Sequence, residues 1–233
     1  MKAMFQMSDL GLLHYYLGME VSQTENGITI SQGAYATKIL EAADMAGCNP
    51  SQIPMEPRLK LSKTSSAPAV DATELRRIIG SLRYLVNSWP DLAFSVGYVS
   101  RFMSAATAEH QAAMKRVLRY VAGTINYGCC YKRRTGDVEL VGYSNSDLAG
   151  DIDTRKSTTG VFFFLGDNVI TWQSQKQKHI DTRYHYIREC IEEGKVKVKY
   201  IGTNEQLADI LTKPLGCVKF TELRSRIGVV NIK

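Results

Sequence analysis

The stretch VGYSNSDLAGDIDTRKSTTGVFFFLGDNVITWQSQKQK, Val141 to Lys178, decides how the chain is read. Just ahead of it, Val138 and Leu140 alternate with Asp137 and Glu139, the period of a half-buried strand leading into Tyr143. Asn145 to Asp153 then gives a polar loop carrying Asp147, Asp151 and Asp153. Val161 to Leu165 and Val169 to Trp172 flank Gly166-Asp167-Asn168, the pattern of a β-hairpin.

These residues closely resemble the start of the ribonuclease H domain in the pol polyproteins of copia-type LTR retrotransposons. The resemblance extends over nearly the whole chain, from about Met1 to Arg226. LHYYLGMEVSQTENGITISQGAYATKIL (13–40) looks like the hairpin and helix that follow the polymerase active site in that family. YLVNSWPDLAFSVGYVSRFM and HQAAMKRVLRYVAGTINYG look like its thumb and connection helices. HIDTRYHYIRECIEEG and YIGTNEQLADILTKPL resemble the end of its ribonuclease H domain.

Reading outward, local pattern supports the same elements. Met1 to Leu10 reads as the end of a helix. Leu13 to Ser22 alternates apolar and polar residues, Asn26-Gly27 is the preferred type I′ hairpin dipeptide, and Ile28 and Ile30 form the return strand. Ser31 is a candidate cap for a helix over about Gly33 to Asp44. Cys48 to Val70, with Pro50, Pro54, Pro57 and Pro68, reads as an extended connector. Asp71-x-x-Glu74 predicts a capping box before the stripe Leu75, Ile78, Ile79, Leu82, Leu85 and Val86. Asp91 is expected to cap a second helix and Thr107 a third, whose residues Ala113, Met114, Val117, Leu118 and Val121 face inward. Ile180 to Glu193 predicts a helix, Lys195 to Ile201 an alternating strand, and Thr203-x-x-Gln206 a capped helix reaching about Thr212.

The class expected is α+β: a β-hairpin with a helical thumb-like bundle, then an incomplete ribonuclease H-like mixed α/β sheet. By the resemblance, 1–47 is the end of the reverse transcriptase palm, 48–70 the connector, 71–135 the thumb and connection helices, and 136–233 the incomplete ribonuclease H-like part. The break falls at Lys178/His179, where the family continues with a long segment absent here. That segment supplies the crossover helix and the first parallel strand. A sheet lacking it is expected either to pair Lys195–Ile201 beside its first strand or to expose an edge, a route to self-association.

The same break falls on the chemistry. The Tyr-x-Asp-Asp turn of the polymerase occurs nowhere in the 233 residues. A ribonuclease H site holds two Mg²⁺ ions with four carboxylates, because a hard cation prefers anionic oxygen. The resemblance places the first of those carboxylates at Asn145 and the last on Asp209. Asp147, two residues past Asn145, is a further candidate. An amide at 145 offers a carbonyl oxygen but no charge, so a catalytically inactive remnant with no bound cofactor is expected. Residual Mg²⁺-dependent ribonuclease H activity and a domesticated nucleic-acid or protein binding module are the alternatives. For Asp209 the plain reading is an exposed helix aspartate paired with Lys213; for the loop aspartates it is a solvated surface.

Net charge is +6, with 29 Lys and Arg against 23 Asp and Glu, which favours a polyanionic partner. Lys115, Arg116, Arg119, Lys132, Arg133 and Arg134, interleaved with Tyr120, Tyr127 and Tyr131, form the candidate surface for an RNA–DNA hybrid or other nucleic acid. Arg155 and Lys156 are candidate phosphate contacts. The expected binding is weak and salt-dependent. The five cysteines are odd in number and form no C-x-x-C pair, which argues against a disulfide framework or structural zinc. His179 and His185 are six apart, on nearly opposite helix faces, so no metal site is assigned to them. No apolar run reaches membrane-spanning length and MKAMFQMSDL lacks the apolar core of a signal peptide, so a soluble, intracellular chain is expected.

Overall fold

The alternation after Leu13 becomes a strand pair in the computed structural model, which describes residues 11–177, 191–194 and 197–232. β1 (Tyr15–Tyr16), β2 (Met19–Thr24) and β3 (Gly27–Ser31) form an antiparallel meander. The hairpin loop lies one residue earlier than the Asn-Gly pattern suggests. Glu25-Asn26 makes the turn, and Gly27 already pairs with Thr24. The glycine serves a different need: at φ 152°, a Cβ there would lie 2.0 Å from the Tyr131 carbonyl oxygen on the next strand.

That strand is β4 (Tyr127–Lys132), and β8 (Val229–Asn231) closes the sheet in the order β1-β2-β3-β4-β8. Between β3 and β4 stand α1 (Gly33–Ala42), α2 (Ala72–Leu85), α3 (Ala93–Val99) and α4 (Ala108–Gly123). The stripe Leu75, Ile78, Ile79, Leu82 and Leu85 is buried, as are Ala113, Met114, Val117, Leu118 and Val121 on α4. Asp71 caps α2 by accepting from the Thr73 amide at 2.7 Å. Gln32, not Ser31, occupies the cap position of α1, and no side chain bonds there. Asp91 is no helix cap either. It lies in a one-turn 3₁₀ segment, Pro90–Leu92, fully enclosed, and accepts from the Tyr120 hydroxyl. Burial pushes its carboxyl above the usual range.

Thr107 caps α4 in a reciprocal box with His110, whose Nδ1 accepts the Thr107 amide at 3.0 Å. Nδ1 therefore carries no proton, and Nε2 donates to the Ser62 carbonyl at 3.1 Å. The ring stacks on Phe102 with centroids 4.3 Å apart. Burial holds the imidazole below its ordinary value, against the pull of the Ser62 carbonyl. The unfolded chain takes up this proton near pH 6.5 and the folded chain only at lower pH. Stability is thus fully present above about pH 6.5 and falls below it, at up to about 1.4 kcal/mol per pH unit. Urea midpoints at pH 7.5 and 5.5 should differ accordingly, and His110→Gln should flatten that step.

The second sheet, β5 (Leu140–Ser146), β6 (Thr158–Leu165) and β7 (Asn168–Lys176), is antiparallel in the order β5-β6-β7. Gly166 and Asp167 form the tight loop, with Gly166 at φ 60°. The ladder shifts at Phe163/Phe164, which leaves Ile170 as the extra residue of a bulge. Phe162, Phe164 and Val169 face the core; Phe163 and Leu165 face outward. A 3₁₀ turn, Leu207–Leu211, covers the inner face in place of the expected helix, with Gln206 as its cap. Residues 197–201 take no strand conformation. The expected elements at Met1–Leu10 and most of Ile180–Glu193 lie outside the described residues. α5 (Cys217–Arg226) and β8 carry the chain back to the first sheet.

The two sheets share one hydrophobic cluster running from Ile39 through Leu82 and Val117 to Phe162, Leu211 and Val229. Polar ties reinforce it. Trp172 Nε1 donates to the Val86 carbonyl at 3.0 Å, and the Asn168 amide makes reciprocal bonds to the Lys132 backbone. The second half therefore folds against the first, not beside it.

Candidate functional site

Asn145 and Asp209 come together, and the reason is a missing side chain. Asn145 pairs with Gly160 in the β5–β6 ladder. A Cβ at Gly160 would lie 2.6 Å from Leu211 Cβ and 3.0 Å from the Ala208 carbonyl oxygen. Glycine lets the Leu207–Leu211 turn settle onto the strand, and that brings Asp209 over Asn145. Gln206 fixes the turn's other end by donating to the Ser144 carbonyl at 3.1 Å.

Asn145 Nδ2 donates to Asp209 Oδ1 at 2.6 Å and to Thr212 Oγ at 2.9 Å. Lys213 Nζ lies 2.8 Å from Asp209 Oδ2. An ionised carboxylate only accepts, so the amide must turn its nitrogen toward Asp209 and its oxygen away. Both carboxylate oxygens are thus held by donors from the protein. Asp209 is 3% exposed, so the reading of an exposed helix aspartate fails, although its pairing with Lys213 holds. The donor set does not suit Mg²⁺. It offers one carboxylate, an amide presenting N–H, and an ammonium in the place a second cation would take.

Asp147 belongs to the loop. Its Oδ1 accepts the Thr158 amide at 2.5 Å, and its other oxygen packs over Gly150. Among the described residues, no three His, Cys, Asp or Glu side chains converge as metal ligands.

Of the other loop aspartates, Asp153 is exposed as expected and Asp151 is buried. Asp151 is 5% exposed and meets Lys176 at 2.7 Å and Arg101 at 3.4 Å. Thr154 adds its amide and hydroxyl at 2.9 and 2.7 Å. Burial works to raise the Asp151 carboxyl, but the bonds from Lys176 and Thr154 prevail and hold it down at about 2. Asp153 accepts from the Ser62 hydroxyl at 2.5 Å and the Lys63 amide at 3.0 Å. Those bonds, Ser62's first, lower its carboxyl. The acidic loop is therefore a clasp between the connector, the 3₁₀ turn Ser100–Phe102 that follows α3, and β7. Arg101, Lys176 and Ser62 complete it, and no periodicity in the sequence links them to the loop.

The basic cluster divides between two elements. On α4, Arg116 pairs with Glu56 and Arg119 Nε donates to the Asn49 carbonyl at 2.7 Å, so both pin the connector; Lys115 stays exposed. Beyond β4, Arg134 pairs with Asp167, while the Lys132 and Arg133 side chains are exposed. Tyr120 is core, and Tyr127 lies half-buried under the Arg224 guanidinium, 4.5 Å from its ring centroid. Arg155, at φ 54°, is exposed beside Lys156 in the loop. A cleft the sequence does not announce, about 500 Å³, opens between α2, α3 and β7. Arg83, Arg101, Lys176, Trp172, Gln173 and Gln175 line it. No described helix is long and apolar enough to cross a membrane.

Residues 1–57 match the family model of the reverse transcriptase (RNA-dependent DNA polymerase). The chain is 32% identical to the retrovirus-related Pol polyprotein of transposon RE1 from Arabidopsis thaliana, over 98% of this chain and 20% of the relative. It is 31% identical to that of transposon TNT 1-94 from Nicotiana tabacum, over 97% of this chain and 22% of the relative. An uncharacterized mitochondrial protein of Arabidopsis thaliana is 39% identical over 74% of this chain and 71% of its own length. The chain spans about a fifth of these Pol polyproteins. The RE1 alignment runs to 290 positions against 233 residues here, so that relative carries residues with no counterpart in this chain. No solved structure matches. The chain belongs to the family of retrovirus-related Pol polyproteins of copia-type transposons.

Proposed function

We propose that this chain is a catalytically silent piece of a reverse transcriptase–ribonuclease H polyprotein that retains a surface for nucleic acid. In this reading β1–β3 with α1 derive from the end of the palm, α2–α4 from the thumb and connection, and β5–β7 with the 207–211 turn from the ribonuclease H sheet. The observation that carries silence is the Asn145–Asp209–Lys213 arrangement. Where the family's mechanism needs acidic oxygens free to take two cations, one carboxylate is saturated by an amide and an ammonium.

Binding rests on different residues from the cluster seen in the sequence. Arg116, Arg119 and Arg134 are engaged within the chain. The cleft between α2, α3 and β7, with Arg83 and Trp172 at its wall, offers cationic, amide and aromatic groups suited to a phosphate backbone and its bases. An RNA–DNA hybrid is the expected partner. Arg101 and Lys176 are held by Asp151, so Arg83 is the cation the cleft leaves for a phosphate, and the logarithm of affinity should fall with a slope of roughly −1 against log salt, a loss of about 3–4-fold from 50 to 200 mM. Arg83→Ala combined with Trp172→Ala should weaken binding about tenfold or more, while 10 mM Mg²⁺ should yield no cleavage of the RNA strand. Cleavage without another protein would refute silence; absent binding at low salt would refute the retained surface.

A further inference from the structure

Two unpaired stretches of this chain are complementary to each other. β5 is an edge strand among the described residues, with β6 on one side only. Glu139 O accepts from Gly166, and Asp147 N donates to Thr158, so odd-numbered residues of β5 spend their backbone groups on β6. Leu140, Gly142 and Ser144 therefore aim theirs at the open side. The Gln206 side chain takes the Ser144 carbonyl there. On that open side the lower part of the edge, from Asp137 to Gly142, has no strand beside it among the described residues. Its side chains alternate acidic and apolar, Asp137-Val138-Glu139-Leu140, with Val138 41% and Leu140 60% exposed.

The second stretch is Lys197-Val198-Lys199-Tyr200-Ile201, which alternates basic and apolar. It pairs with no strand among the described residues, and Val198 and Tyr200 are 68% and 89% exposed. A strand-patterned segment this open is a ready edge partner. In either direction, period-two pairing sets Lys197 and Lys199 across from Asp137 and Glu139, with Val198 against Val138. Within one chain the segment takes no strand conformation and does not pair with that edge. It runs through a turn closed by Glu205 N to Gly202 O at 3.0 Å into Gln206, which is already seated on Ser144.

We infer that the occupant is a second copy: residues 197–201 of each chain add as a strand to the β5 edge of the other, giving a reciprocal two-fold dimer. The test does not depend on activity: sedimentation equilibrium of the parent chain, with hydrogen exchange of 197–201 measured on either side of the dissociation midpoint. A concentration-dependent monomer–dimer equilibrium is expected, with protection of 197–201 in the dimer only. Lys197→Glu/Lys199→Glu and Asp137→Lys/Glu139→Lys should each weaken self-association at least tenfold. Mixing the two variants should restore a heterodimer, which misfolded variants would not do. A monomer at all concentrations, with 197–201 protected or unprotected, would overturn the inference, as would open-ended aggregation or failure of the mixture to associate.

Discussion

Asn145→Asp is expected to destabilise the chain by about 2–3 kcal/mol, a drop in melting temperature of roughly 5–10 °C for a protein of this size. The amide now gives Asp209 and Thr212 their donor at 2.6 and 2.9 Å. A carboxylate there removes both donations and sets like charge against a buried carboxylate. Asn145→Ala separates the two effects, since it loses the bonds without adding charge and should fall between parent and Asp. Millimolar Mg²⁺ or Mn²⁺ should raise the melting temperature of Asn145→Asp and leave the parent unchanged, because only the variant presents two carboxylates to one cation. Neither protein should cut a hybrid, since two carboxylates do not make a two-metal site. Equal melting of parent and Asn145→Asp would mean that the observed bonds contribute nothing.

Asp151→Asn should cost about 2–3 kcal/mol, read as a lower urea midpoint with unchanged slope. The substitution strands Arg101, 13% exposed, and Lys176, 25% exposed, without their shared counter-ion. The acid limb provides a second readout. The Asp151 carboxyl sits at about 2 in the folded chain and near 3.8 when unfolded. A depressed carboxyl contributes stability above the unfolded value and loses it as pH falls toward the folded one. The parent should therefore lose more stability than Asp151→Asn between about pH 4 and pH 2. Identical acid limbs would show that the clasp carries no net charge energy.

Much of the scaffold was legible because its signals are local. The stripe on α2, the inward face of α4 and the Thr107 cap each follow from residues within two turns of one another. The pairing of Asn145 with Asp209 was legible only as a resemblance, since 64 residues separate them. What the sequence hid was long-range and polar. Asp151 reads as a loop aspartate because its partners Arg101 and Lys176 lie on elements with their own patterns. The basic residues of α4 read as a free surface because the connector carbonyl of Asn49 and the carboxylate of Glu56 have no periodicity. Residues 197–201 show clear strand alternation, yet alternation supplies only half of a ladder. The Asn26-Gly27 pattern misplaced its turn because the glycine answers to Tyr131, 104 residues on.

The closing strand of the first sheet has a consequence for synthesis. β4 ends at Lys132, but its outer neighbour begins at Val229, with Gly228 O taking the Cys130 amide and Asn126 O taking the Ile232 amide. While the ribosome works through the intervening codons, β4 waits with one flank bare, and the emerging chain is open to capture by chaperones or by its own neighbours on a polysome. Translational pausing anywhere in that interval would prolong the exposure. The last strand thus sets when the first sheet becomes safe.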